Sequence, residues 1–210
     1  MNSTQAQEEL SRFGITPDAY NDILLSASRK GETATVALLI AAGADVNTVD
    51  KNGKTPLCLA AHYGCTECVQ LLLTASGINV NKECTNGATP LCLAASCGHT
   101  ECVRLLLATS GIDINKKDKW SNTALCLAVN GGHTECARVL LAAPGIDINK
   151  GAPLCLAAHE GHTECLLLLL ATPGIDVNKT DQYGKTPLFW AELMQHTECA
   201  ERIHAAGGKE

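Results

Sequence analysis

Apolar residues in this chain fall into short stripes at helical spacing, in pairs, with glycine-bearing polar gaps between them. The pattern is clearest from Thr55 to Asn81. Leu57, Ala60 and Ala61 recur at i, i+3, i+4 behind Thr55-Pro56, and the stripe stops at Gly64. Thr55 reads as an N-cap, and proline at the first helical position loses no hydrogen bond it could have made. Gly64 reads as a left-handed stop. Thr66 reads as the cap of a second helix, with Glu67 in its first turn and Cys68, Val69, Leu72 and Leu73 on its inner face. Ser76-Gly77 ends that helix, and Ile78, Val80 and Asn81 leave it extended. Asn52-Gly53 and Asn86-Gly87 carry tight-turn chemistry. The predicted unit is a helix, a tight turn, a second helix and a projecting β-turn finger.

This unit repeats. Thr55-Pro-Leu-Cys-Leu-Ala-Ala returns at Thr89, as Thr123-Ala-Leu-Cys-Leu-Ala-Val, as Ala152-Pro-Leu-Cys-Leu-Ala-Ala and as Thr186-Pro-Leu-Phe-Trp-Ala-Glu, in steps of 34, 34, 29 and 34 residues. Each copy is followed by a phrase ending in Thr-Glu-Cys. Such a period predicts stacked units that bury their apolar faces only against neighbours, an extended contact surface without an enclosed pocket.

Thr-Pro-Leu-x-x-Ala-Ala, Gly-His-x-Glu, a Leu-Leu-Leu run, Gly-x-Asp-Val-Asn and Asp-x-x-Gly-x-Thr resemble the ankyrin repeat over about residues 22–206. The resemblance implies an all-α repeat solenoid of six helix-turn-helix units, near 22–47, 55–81, 89–115, 123–149, 152–178 and 186–206, the outer two acting as caps. Residues 1–21 are expected to form a polar segment and 207–210 a tail. Asp22 is expected to cap the first helix. Two departures stand out: cysteine fills the slot that family members usually give to histidine after Thr-Pro-Leu, and helix 2 ends one residue later than the commonest spacing.

The resemblance also implies binding through the fingers and the adjoining face of the first helices. Carried over by position, the finger residues are Val49, Lys51 and Asn52; Glu83, Thr85 and Asn86; Lys117, Lys119 and Trp120; and Thr180, Gln182 and Tyr183. The helix-side residues are His62 and Tyr63; Ser96 and Cys97; Asn130; and His159 and Glu160. Trp120, Tyr183 and Tyr63 take slots that the repeat leaves exposed, and aromatic anchors dominate interface energetics. Trp120 reads equally as an anchor or as lateral packing on a neighbouring finger, whereas Trp190 reads as core.

The 29-residue step removes one finger: only Lys150-Gly151-Ala152 joins Asn149 to Pro153. Ala152 stands where threonine should cap, a loss of about 1 kcal/mol. The gap reads first as a tolerated tip deletion or as residues missing from the sequence, and second as a notch in the binding edge. In each case this junction is expected to open first.

Composition narrows the function. A net charge of −6 and a pI near 5.6 leave no basic face for nucleic acid. No run of apolar residues resembles a signal peptide or a membrane span. Of twelve cysteines, nine recur in two fixed slots, Cys58, Cys92, Cys126 and Cys155 in one and Cys68, Cys102, Cys136, Cys165 and Cys199 in the other. Equivalent residues in stacked helices lie about 8–10 Å apart, too far for a disulfide, which needs Cα atoms about 4.4–6.8 Å apart. Free, buried thiols fit a reducing compartment, so the chain is expected in a cytoplasm, its own or a host's. Cys65-Thr-Glu-Cys68 and the His-x-x-Cys pairs starting at His99, His133, His162 and His196 have half the spacing of a zinc site, yet they recur because the unit recurs and lack converging partners. No catalytic constellation, cofactor motif or metal set is expected. The expectation is a monomeric, non-catalytic protein-binding module, an adaptor or scaffold. The alternatives are a single-partner inhibitor or immunity-type protein and, behind it, a cysteine-based metal or redox protein.

Overall fold

A computed structural model describes residues 2–209. Among them there are thirteen α-helices, one 3-10 turn at Pro17–Ala19 and no strand. After α1 (Ser3–Arg12) the helices come in six pairs: α2 (Tyr20–Lys30) with α3 (Thr33–Ala42), α4 (Pro56–His62) with α5 (Thr66–Leu73), and α6 (Pro90–Ser96) with α7 (Thr100–Leu107). They continue as α8 (Ala124–Asn130) with α9 (Thr134–Leu141), α10 (Pro153–Glu160) with α11 (Thr163–Leu170), and α12 (Pro187–Leu193) with α13 (Thr197–Ala205). Each first helix packs on the next first helix and each second helix on the next second helix. The result is two parallel rows, the helical solenoid that the repeat predicts.

The helix starts follow from their residues. Thr55 Oγ1 accepts from Cys58 N at 3.1 Å, and Thr89, Thr123 and Thr186 cap α6, α8 and α12 in the same way. Leu57, Leu91, Leu125, Leu154 and Leu188 are buried between the rows, as are the second-helix Leu72, Leu106, Leu140 and Leu169.

Three expectations about ends need correction. Thr66 does not cap α5: Cys65 holds the cap position without a side-chain hydrogen bond. The Thr66 hydroxyl instead donates to Gly64 O and pairs with Cys102 Sγ of the next unit. Asp22 lies in the first turn of α2 rather than at its cap, because the Pro17–Ala19 turn leads the chain into the helix earlier, with Ala19 at the N-cap. Residues 3–12, expected to be a polar segment, form a helix with Asn2 and Gln5 in a reciprocal capping box. Its apolar stripe is only Ala6 and Leu10, both fully buried as α1 packs on α3. Gln7 Nε2 adds a hydrogen bond to Ala42 O.

Side chains tie the units together in three ladders. Asn47 donates to Gly77 O and accepts from Asn79 N; Asn81, Asn115, Asn149 and Asn178 repeat this on the next unit. His99, His133, His162 and His196 each bond through Nε2 to a carbonyl of the preceding first helix, at 3.0–3.1 Å. Thr33, Thr66, Thr100, Thr134 and Thr163 each pair with the second-helix cysteine of the following unit.

Candidate functional site: the fingered edge

Each finger is a turn organised by its first residue. Asp50 Oδ1 accepts from Asn52 N and Lys54 N, while Asp50 N donates to Lys54 O. Asp118 and Asp181 build the same turn. In the second finger Cys84 replaces the aspartate, and Asn86 Oδ1 accepts from Ala88 N instead. The fingers also bond to one another: Thr85 N donates to Asn52 O and Lys119 N to Asn86 O, both at 3.0 Å. Three fingers therefore form one ribbon. It breaks at Lys150-Gly151-Ala152 and resumes at Asp181.

None of the residues chosen from the sequence is buried. The finger residues are exposed except Asn86, which is half-buried; on the helix side Tyr63, Asn130 and Glu160 are exposed, and His62, Ser96, Cys97 and His159 half-buried. Around the second unit His62 meets Tyr63 edge-on, Cys97 Sγ lies 3.5 Å from His62 Nδ1, and the Arg29 guanidinium sits over the Tyr63 ring. Partial burial, helped by the Lys54 charge and by His99, holds His62 below the usual imidazole range. Glu83 is ion-paired with Lys116 at 2.8 Å.

A concavity on this edge lies at the missing finger. It has a volume of about 500 Å³, with Trp120 and Asn130 towards one side, Tyr183 and Asp181 towards the other, and Leu156, His159, Glu160 and Trp190 between them. Trp120 is 59% exposed and Tyr183 70% exposed. The finger that would flank Trp120 on the gap side is missing, and the ring stands beside the space it leaves. Trp190 departs from its core reading: it is half-buried, donates from Nε1 to Asp181 Oδ2 at 2.8 Å and meets His159 edge-on. Its position beside the gap was not visible in the sequence, where it occupies a leucine slot.

A family model described as ankyrin repeats (3 copies) matches residues 23–118, 77–152, 108–181 and 147–208. The chain belongs to the ankyrin-repeat family. No curated relative matches it. Ankyrin repeats are generally protein–protein interaction modules and are typically non-enzymatic.

The cysteines of this ankyrin chain are held within the packing of the repeat. All twelve are free. Cys58, Cys126 and Cys155 donate to the carbonyls of Lys82, Lys150 and Lys179, in the backbone that leads towards the next unit. Burial raises their thiol pKa values, and for Cys155 burial, followed by the Asp181 charge, pushes it up to about 12. The histidines of the His-x-x-Cys pairs are engaged with backbone carbonyls. Among the described residues no three His, Cys, Asp or Glu side chains gather where they could hold a metal. Nor is any helix there long and apolar enough to cross a membrane.

Proposed function

We propose that this ankyrin protein is a non-catalytic adaptor or scaffold that binds a partner protein through its finger tips and the adjoining face of the first helices. One observation carries the reading. The repeated Asn, His and Thr side chains are engaged in inter-unit ladders, whereas the large aromatics Tyr63, Trp120 and Tyr183 stand exposed on the fingered edge. Exposed aromatic rings are the side chains that most often anchor an interface. Free buried thiols support a reading of the protein as a monomer acting in a reducing compartment such as the cytoplasm. Affinity capture with the purified chain, followed by quantitative mass spectrometry, tests the proposal. Several partners lost together on replacing Tyr63, Trp120 and Tyr183 with alanine support an adaptor. One tight partner points instead to an inhibitor or immunity-type protein, and capture unaffected by the three substitutions refutes the edge.

A further inference from the structure

The break in the finger ribbon leaves one rung open on both sides. Asn52 O and Asn86 O accept from the next finger, but Trp120 O, in the same position of the third finger, has no protein donor among the described residues. Thr85 N and Lys119 N donate to the preceding finger, but Gln182 N, their counterpart in the last finger, has no protein acceptor. The shortened link keeps clear of this space. A Cβ on Gly151 would lie 3.0 Å from Ser121 O and 2.6 Å from Cys126 Sγ, so the link tucks beneath the third finger and leaves the tip layer empty. Loss of the finger also bares the floor: Leu59 and Leu93 are buried, whereas Leu127 and Leu156, in the same slot, are only half-buried.

Resting on the reading of the chain as a protein-binding module, we propose that this notch receives an extended or turn segment of a partner protein, which takes the place of the missing finger. Two adjacent residues of that segment do what Thr85 and Asn86 do in the intact ribbon. The N–H of the first donates to Trp120 O, and the C=O of the second accepts from Gln182 N. Its side chains rest between Trp120 and Tyr183, over Leu156 and Trp190. The segment is uncharged at its centre, because the charges lining the notch already offset one another: Lys117 and Lys179 oppose Glu160 and Asp181. Glu160 is engaged by His159 at 2.7 Å, and Asp181 by the backbone of its own finger and by Trp190. Main-chain pairing of this kind supplies affinity while side-chain pockets supply specificity.

The test fills the notch from within. Replacing Gly151-Ala152 with the seven residues Val49–Thr55 restores a finger and a threonine cap, so the variant is expected to fold and to melt higher than the parent. A phage-displayed library of random peptides is panned on the full chain, and enriched peptides are measured against both forms. The proposal expects peptides with uncharged centres that bind the filled form at least tenfold more weakly, and slowed exchange of the Gln182 amide in the complex. An unenriched library, or equal binding to both forms, overturns the notch; equal binding leaves the adaptor reading standing, which fails separately if capture is insensitive to the exposed aromatics. A parent chain that sediments as a dimer while the filled form is a monomer also overturns it, by making a second copy the occupant.

Discussion

His99 bonds through Nε2 to the carbonyl oxygen of His62, 3.1 Å away in the preceding unit, and its ring lies over Gly64 so closely that a Cβ there would come within 2.6 Å of Nδ1. The glycine is therefore required twice, by its φ of +70° and by the ring of the next unit.

Gly64→Ala is expected to destabilise the fold by about 2–4 kcal/mol, combining left-handed strain with overpacking. The converse holds at the end of the array, where Gln195 fills the equivalent slot with φ 60°. Gln195→Gly should stabilise by about 1 kcal/mol. Urea denaturation of both variants reads the two effects, and a neutral Gly64→Ala would contradict the ladder.

His62 is held below its ordinary value of 6.5, chiefly by burial, so below that pH the unfolded chain binds more protons than the folded one. Its neutral form thus contributes stability that is present above pH 6.5 and is lost as pH falls through the lower folded value. Thermal melting between pH 7.5 and 5 should show the decline, and His62→Gln should flatten it.

Thiol reactivity follows burial. In the native protein an alkylating reagent at pH 8 should modify Cys97 and Cys65, the two half-buried cysteines, and spare Cys155, whose thiol stays protonated. Mass spectrometry of the labelled peptides reads the order. Fast labelling of Cys155 would place it outside the packed interior.

The shortened junction is expected to open before its neighbours. Ala152 adopts φ 53° and caps nothing, a strained start for α10 at the break in the finger ribbon. Amide hydrogen exchange across residues 140–165 should run faster than across the neighbouring units, and equal protection would show the junction to be no weaker.

The helix pairs were legible because each element carries its own start, stripe and stop, and the repeat supplied the check that one copy could not. What escaped notice had weak or non-local causes. α1 shows only Ala6 and Leu10 to the interior, too narrow a stripe to stand out in a polar stretch. Thr66 has an N-cap's chemistry, but its hydroxyl is claimed by Gly64 O and Cys102 Sγ, a partner thirty-six residues away. Trp190 reads as a leucine replacement until Asp181 is seen to hold its indole at the surface. The missing finger was countable, yet a count does not say that Trp120 and Tyr183 stand across the space it leaves.

The most direct check on the account is the affinity of a captured partner for the Trp120→Ala chain, with melting temperature measured alongside. Loss of a true anchor costs about 2 kcal/mol or more, roughly thirtyfold in Kd, and the account predicts this with no change in melting. Unchanged affinity, or a loss matched by unfolding, would contradict it.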